Sequence, residues 1–166
     1  MTEAMNLEKD ISVARQWLGP VLITAPPDYA LAVAHVIAVG DNKEQQRLRM
    51  VMCDGAAIVS AALGDRRALE TTTGETVLVV HEVHTLSDAE QAALLVLHDA
   101  EKVGHRRIIA TSSVCLFDRV KRGTFNASLF YRLNTIHVVG HSCGDRAKAA
   151  SACCSERLGG GPSHGL

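Results

Sequence analysis

Short apolar runs that are typical of β-strands alternate along the chain with segments of helical spacing. The strand-like runs lie at residues 21–24, 48–53, 76–81, 107–111 and 135–139. The other segments predict helices at residues 4–17, 29–39, 56–63 and 87–104, and one or two short helices within 115–133. Strands that are separated by helices pair in parallel and carry helices on both faces of the sheet. The pattern predicts an α/β fold, a three-layer sandwich with a mostly parallel five-stranded sheet.

The third strand and the helix after it have the strongest local signals. Residues 76–81 are apolar without alternation, as expected for a strand that is covered on both faces. Ser87 and Glu90 form the Ser-x-x-Glu capping box that starts a helix. Ligands of such sheets bind outside the carboxyl ends of the strands. We therefore expect side chains with a function where the strands end, at Thr24, His81, Glu82 and Thr111.

Length and composition fit one folded domain. The chain has 166 residues, of which 47% are hydrophobic, and this is enough for a real core. Lys and Arg total 17 against 18 Asp and Glu, so no overall charge favours nucleic acid or a membrane. The apolar runs are too short to span a bilayer, and the acidic N-terminus does not have the pattern of a secretory signal. We expect a cytoplasmic protein.

The sequence divides into three parts. Residues 1–18 hold an N-terminal helix, residues 19–140 the α/β core, and residues 141–166 a flexible tail that is rich in Cys and Gly. The number of cysteines is odd, at five. Cys53 and Cys115 lie in or next to apolar runs, so we expect them to be small buried side chains in a reducing compartment.

A set of ordered motifs gives the chain a resemblance to a known family. Residues 81–87 read His-Glu-Val-His-Thr-Leu-Ser, residues 108–112 Ile-Ile-Ala-Thr-Ser, and residues 125–134 Phe-Asn-Ala-Ser-Leu-Phe-Tyr-Arg-Leu-Asn. Together they resemble the central AAA+ domain of the NtrC-type bacterial enhancer-binding proteins, which activate sigma-54 RNA polymerase. The resemblance covers about residues 15–140 and is strongest over 75–134. It implies a P-loop NTPase-like core, a sigma-54 interaction, transcription regulation, and ATP with Mg²⁺ as the cofactor.

The phosphate-binding loop that this resemblance implies is degenerate. It falls on Ala25, Pro26, Pro27, Asp28, Tyr29 and Ala30. A P-loop wraps phosphates with the backbone N–H groups of glycines and reaches the outer phosphates with a lysine. These six residues include neither Gly nor Lys, and the two prolines remove two N–H donors. We therefore expect no cofactor, although the family implies ATP and Mg²⁺.

The catalytic positions that the resemblance implies are also altered. His81 stands where the family has the Asp that holds Mg²⁺, and imidazole is a poor ligand for that ion. Glu82 keeps the place of the water-orienting acid and is expected to be a relic. Ser112 replaces the sensor Asn. Arg132 keeps the second of two arginines that act on a neighbouring subunit's phosphates, whereas Asn126 replaces the first. An ordinary ion pair is the alternative for Arg132.

Three parts of the family's proteins are not recognisable in this sequence. The 57–75 span lacks the Gly-Ala-Phe-Thr-Gly-Ala insertion with which the family touches sigma-54. After residue 139 there is no pattern of a helical lid domain or of a DNA-binding helix-turn-helix. We expect the lid to be absent and DNA contact to be unsupported.

Zinc and nucleic-acid sites have weaker support. His81 and His84 do not have the His-Glu-x-x-His spacing of a helical zinc site, so a structural role is favoured. Residues of the types that bind zinc also occur near the C-terminus: His137, His141, Cys143, Cys153 and Cys154. They do not include the paired Cys-x-x-Cys that is typical of zinc sites. The basic residues within 102–132 fit a solvated face, or the family's polyanion-facing edge, better than a nucleic-acid patch. We predict no metal site.

These observations lead to two main hypotheses. The first is a sigma-54-activator-like AAA+ domain that is catalytically inactive. It acts as a transcription-related regulatory or assembly module through protein contacts with an AAA+ relative or the transcription machinery. The second is a weak ATP-binding or ATPase subunit that is active only within a mixed ring. A decaying gene fragment with a barely stable product is a third alternative. The loop at 25–30 and His81 argue against the enzyme.

Overall fold

The computed structural model describes residues 2–39, 49–63, 76–100 and 106–140. Its helices are α1 (Thr2–Gln16), α2 (Pro27–Val39), α3 (Gly55–Ala62), α4 (Asp88–Ala100), α5 (Leu116–Lys121) and α6 (Ala127–Leu133). Its strands are β1 (Val21–Thr24), β2 (Arg49–Cys53), β3 (Thr76–Val80), β4 (Arg106–Ser112) and β5 (Ile136–Val139). A 3₁₀ turn, Val83–Thr85, follows β3. The predicted order of strands and helices is confirmed, with ends that differ by a few residues.

The strands form one five-stranded sheet in the order β2-β3-β4-β1-β5. Every pair of neighbouring strands is parallel, so the predicted α/β sandwich is confirmed. Strand β1 lies between β4 and β5, and Val21 lies opposite Ile109 on one side and Ile136 on the other. Because all strands run the same way, their carboxyl ends meet at one edge, which we call the carboxyl edge.

Two layers of helices cover the two faces of the sheet. Helices α3 to α6 pack on one face, where Leu78 and Val80 of β3 point. Helices α1 and α2 pack on the other face, where Val77 and Val79 point. All five residues of β3 are buried, as its unbroken apolar run predicts. Helix α1 belongs to the same core as α2 and β5, since Ala14 is fully buried in it.

Side-chain caps explain where several helices begin. The backbone N–H and the hydroxyl of Ser87 both donate to Glu90 Oε2, at 2.7 and 2.8 Å, so the predicted capping box is confirmed. Asp54 Oδ1 accepts from the N–H of Ala57 at 2.8 Å at the start of α3. Helix α2 begins at Pro27, two residues before the predicted start. Proline suits the first helical position, because its missing N–H would have no partner there.

Arg107 departs from the prediction of a solvated basic face. Its guanidinium donates to the carbonyl oxygen of Ala14 in α1 and, at 3.5 Å, to that of Ile37 in α2. Both carbonyls lie in last turns, where helices leave acceptors without partners. Burial lowers the pKa of Arg107 to about 10, so the group stays charged at neutral pH. Arg107 therefore joins the C-terminal ends of two helices to β4.

The remaining predictions about the chain have mixed outcomes. Cys53 is buried as predicted, but Cys115 is only partly buried because it precedes the first turn of α5. Within the described residues no helix is long and apolar enough to cross a membrane. The tail at 141–166, the span 64–75 and the question of a lid domain lie outside the described residues.

Candidate functional site at the carboxyl edge

The carboxyl edge brings together most of the site residues that the sequence predicts. Thr24 ends β1, His81 and Glu82 follow β3, and Ser112 ends β4. The parallel register places Thr24 opposite Ser112, and the N–H of Ala25 donates to the carbonyl of Ser112 at 3.1 Å. Helix α2 starts directly above this edge. In a parallel α/β sheet, this is the region where a ligand would bind.

The connection between β1 and α2 consists of just Ala25 and Pro26. The other four residues of the predicted loop, residues 27–30, form the first turn of α2, and the N–H of Ala30 donates to the carbonyl of Pro26 at 2.8 Å. A P-loop needs a run of about eight residues whose N–H groups point inwards. Two residues cannot enclose a phosphate, and the N–H of Ala25 is already bonded to β4.

Tyr29 fills the space beside this connection. A Cβ atom built on Gly140, just after β5, would lie 2.4 Å from Cε1 of Tyr29 and 3.2 Å from Cβ of Ala25. The Tyr29 ring therefore packs directly over the backbone of Gly140. Asp28 is exposed in the first turn of α2, where its negative charge stabilises the helix and would repel a phosphate.

His81 is held by β4 through a hydrogen bond. Its Nδ1 lies 2.9 Å from Oγ1 of Thr111, which also accepts from the N–H of Glu82 at 3.1 Å. Thr111 is fully buried, so both bonds are sheltered from water. The position at which the family places its Mg²⁺-binding carboxylate is therefore taken by an imidazole that is bonded to a threonine.

Glu82 has a backbone conformation that is unusual for its residue type. Its φ and ψ angles of 50° and 51° lie in the left-handed region. Hydrogen bonds hold this conformation: the N–H donates to Thr111, and the carbonyl accepts from the N–H and the hydroxyl of Thr85 at 2.9 and 2.8 Å. Such strain is concentrated at functional positions in proteins. Here the Glu82 side chain reaches Ser113, directly after β4.

The Glu82 carboxylate lies between two polar side chains. Oε2 accepts from the Ser113 hydroxyl at 2.5 Å and lies 3.6 Å from Nε2 of His84. Oε1 is buried and has no hydrogen-bond partner within the part of the chain that the structure describes. Nδ1 of His84 in turn lies 3.2 Å from Oγ of Ser112. The sequence shows Ser112, Ser113 and His84, but not that the left-handed turn at Glu82 brings them together.

Arg132 and Asn126 make their contacts elsewhere. Arg132 donates to both carboxylate oxygens of Asp99, at 2.8 and 3.1 Å, and so links α6 to α4. Oδ1 of Asn126 accepts from the N–H of Leu129 at 3.0 Å and caps α6. The N–H of Asn126 donates to Oε1 of the buried Gln91 at 2.8 Å. Asn126 thus has a structural role that an arginine at this position could not fill in the same way.

The residues at the carboxyl edge do not fit MgATP. Those within the described ranges include no loop that can enclose phosphates, no lysine at the start of α2, and no carboxylate at the His81 position. Among the described residues, no group of three or more His, Cys, Asp or Glu side chains could hold a metal ion. His137, a zinc candidate by type, lies 2.8 Å from Oγ1 of Thr24 through its Nε2.

Comparison with known proteins shows to which family this architecture belongs. Residues 2–139 match the sigma-54 interaction domain. The chain belongs to this family. No curated protein sequence matches it. The predicted resemblance to AAA+ domains of sigma-54 activators is therefore confirmed.

Solved structures share the fold of this sigma-54 interaction domain. NtrX from Brucella abortus in complex with ATP superposes with a TM-score of 0.60 at 23% identity, over 84% of this chain and 37% of NtrX. The P-loop NTPase domain of the sigma-54 transport activator from E. coli has a TM-score of 0.59 at 16% identity, over 86% of this chain and 98% of that domain. A RuvB variant from Thermotoga maritima has a TM-score of 0.54 at 20% identity, over 82% of this chain and 44% of the RuvB chain. The chain thus spans little more than a third of NtrX.

Proposed function

We propose that this sigma-54-activator-like AAA+ domain does not bind MgATP, is catalytically inactive, and acts as a regulatory or assembly module through protein contacts. The two-residue connection of Ala25 and Pro26 is the observation that supports this most directly. A point mutation can remove a lysine and leave a loop that still encloses phosphate. A loop that has lost most of its length has no inward-pointing N–H groups, so a single substitution could not restore phosphate binding.

The surroundings of this connection support the same proposal. The N–H of Ala25 is bonded to β4, the prolines have no N–H, and the Tyr29 ring packs over Gly140. Recovery of a phosphate site would therefore require changes in α2 and at the end of β5 as well as in the loop.

The partner that fits best is another AAA+ subunit. AAA+ relatives share this core, so a domain of the same shape has a surface on which a relative can dock. The alternative partner, the transcription machinery, is less favoured because the sequence lacks the insertion with which the family touches sigma-54. Nothing in this proposal requires DNA or a membrane.

Co-assembly with an active relative tests the proposal. The purified protein is mixed with an ATP-hydrolysing sigma-54 activator from the same host, and particle mass is followed by light scattering. The proposal predicts particles that contain both chains, and a changed rate of ATP hydrolysis by the relative. Two separate populations of particles and an unchanged rate at every mixing ratio would contradict it.

A second candidate function is a subunit that lends Arg132 to a neighbour's nucleotide in a mixed ring. The observation in its favour is that the Arg132 side chain is 35% exposed and can reach solvent. Stabilisation of a transferring phosphoryl group by arginine is worth roughly a thousandfold or more in rate. Against it, Asp99 already binds Nε and Nη2 of Arg132, so this contact would have to break before both could face a phosphate.

The same mixture distinguishes the two candidates. If Arg132 acts on the neighbour, Arg132→Ala lowers the rate of the mixed ring, whereas Asp99→Ala frees the arginine and raises it. If the protein is a purely structural module, wild type and both variants give equal rates at equal co-assembly. The light-scattering signal confirms in each case that the variant has joined the ring.

A further inference from the structure

Strand β2 lies at one end of the sheet. Within the described residues it pairs only with β3, from Arg49 opposite Thr76 to Cys53 opposite Val80. An edge strand presents a row of backbone N–H and C=O groups that no strand of its own sheet uses. A strand from another molecule can pair with such a row and extend the sheet.

The middle of β2 lacks the features that protect edge strands against such pairing. Proteins usually protect an edge with a lysine, a proline or a bulge. Residues 50–52 read Met-Val-Met, without charge or proline, and they pair with β3 in an unbroken register. Met52 is 49% exposed, more than any other strand side chain among the described residues. The outer edge of β2 therefore combines regular backbone geometry with an exposed apolar side chain.

The opposite edge of the sheet, at β5, is better protected. Strand β5 has only four residues, and Val138 in it is fully buried. Helix α1 packs against β5, and Nε2 of His137 lies 2.8 Å from Oγ1 of Thr24 in the neighbouring strand. Short and covered edges are poor templates for a further strand. The edge that favours pairing is therefore that of β2.

The side chains of β2 determine which partner strand fits. Met50 packs against the core on the α1/α2 face, Met52 lies two residues further on the same face, and Val51 packs on the other face. In an antiparallel copy of β2 with one Val51 opposite the other, Met50 of each chain lies opposite Met52 of its partner. All central pairs are then apolar, and every side chain stays on its own face. The strand is thus complementary to itself.

We propose that the outer edge of β2 pairs antiparallel with β2 of a second copy of this chain, so that two sheets join into one. The two-fold axis passes between the two Val51 residues, normal to the sheet, and the contact is isologous. Pairing over the five residues of β2 buries less than the roughly 1,600 Å² of a standard interface, so the dimer is reversible, with a dissociation constant on the order of 100 μM. This contact requires neither an AAA+ relative nor a nucleotide and so goes beyond the proposed function.

Sedimentation velocity of the wild-type protein tests the dimer. The full chain is measured from about 10 μM to about 1 mM, because a reversible dimer forms by mass action. The proposal predicts a mean mass that rises with concentration from one chain towards two, and no further, since the two-fold contact uses the β2 edge of both chains. A protein that stays monomeric at every concentration, or that grows beyond two chains, would overturn it.

Opposite charges at Met52 test the position and the symmetry of the contact. Met52→Lys and Met52→Glu each place like charges at diagonal positions of the two strands, about 7–8 Å apart, and remove the apolar contact with Met50. Each variant alone should stay monomeric, whereas their equimolar mixture should dimerise, because lysine then lies near glutamate. Val96→Lys, at an exposed position on α4, should dimerise like wild type. Dimers of either Met52 variant alone, or a mixture that stays monomeric, would overturn the proposal.

Hydrogen exchange of the wild-type protein locates the contact without a substitution, and it decides the question if a Met52 variant does not fold. Protection of the backbone amides within residues 49–53 should rise between low and high protein concentration, whereas protection within residues 136–139 should stay the same. A dimer in which protection rises elsewhere and not in β2 would overturn the proposal.

Discussion

Arg132 and Asp99 face each other in a two-point ion pair that joins α6 to α4. Nε of Arg132 lies 2.8 Å from Oδ1 and Nη2 lies 3.1 Å from Oδ2 of Asp99. The Arg132 side chain is 35% exposed and the Asp99 side chain 40% exposed. Two parallel bonds define the orientation of the guanidinium, whereas its exposure keeps the energy of the pair small. This contact makes Arg132 part of the domain's own structure.

A double-mutant cycle measures the strength of this pair. Arg132→Ala, Asp99→Ala and the double variant are unfolded by urea together with wild type. We expect a coupling free energy of about 0.5–1 kcal/mol, since the pair is exposed but bidentate. Arg122→Ala, at an exposed position after α5, should change stability by less than about 0.5 kcal/mol. A coupling energy of zero would contradict a structural role for Arg132.

The left-handed conformation of Glu82 gives a second prediction. Glu82→Ala and Glu82→Gly both remove the carboxylate, but glycine also adopts a positive φ without strain. We expect the Gly variant to be more stable than the Ala variant by roughly 1 kcal/mol. At Val96, an exposed position within α4, the order should reverse, because glycine weakens a helix by about 1 kcal/mol relative to alanine. The same order at both positions would argue that the φ of Glu82 is not positive.

The buried guanidinium of Arg107 gives a third prediction. Arg107→Met keeps an unbranched apolar stem but leaves the carbonyls of Ala14 and Ile37 without their donor. We expect a loss of about 1–3 kcal/mol of unfolding free energy in chemical denaturation. Lys9→Met, at an exposed position of α1, should have an effect below about 0.5 kcal/mol. A neutral or stabilising Arg107→Met would show that these bonds contribute nothing to the packing of α1.

The sequence predicts the fold well and the site only in part. The unbroken apolar run of β3 and the Ser87–Glu90 capping box identify elements directly, because burial and capping depend on local patterns. The absence of glycines at 25–30 predicts that this loop cannot bind phosphate, but it does not predict that four of the six residues are helical. Glutamate has no preference for the left-handed region, so nothing local predicts the turn at Glu82. Arg107 was wrongly predicted to be solvated, because its partners are backbone carbonyls of distant helices.

A single lysine should not restore a phosphate site. Ala30 is fully buried in α2, so Ala30→Lys places an unpaired charge in the core and should destabilise the protein by several kcal/mol. Asp28→Lys places the lysine at an exposed position of the first turn instead; it loses the favourable acid there, which should cost only about 1 kcal/mol, and the protein should still fold. Neither variant should release phosphate from ATP in a coupled assay. Turnover by either one would show that the connection of Ala25 and Pro26 is more competent than its length suggests.

The most direct test of the central claim is a calorimetric titration of the wild-type protein with MgATP. An ATP-hydrolysing sigma-54 activator that is titrated under the same conditions serves as the positive control. Because two residues cannot enclose a phosphate and no carboxylate stands at the His81 position, we predict no heat beyond dilution up to millimolar nucleotide, which corresponds to a binding free energy weaker than about −4 kcal/mol. Saturable binding with a dissociation constant in the low micromolar range would contradict the account.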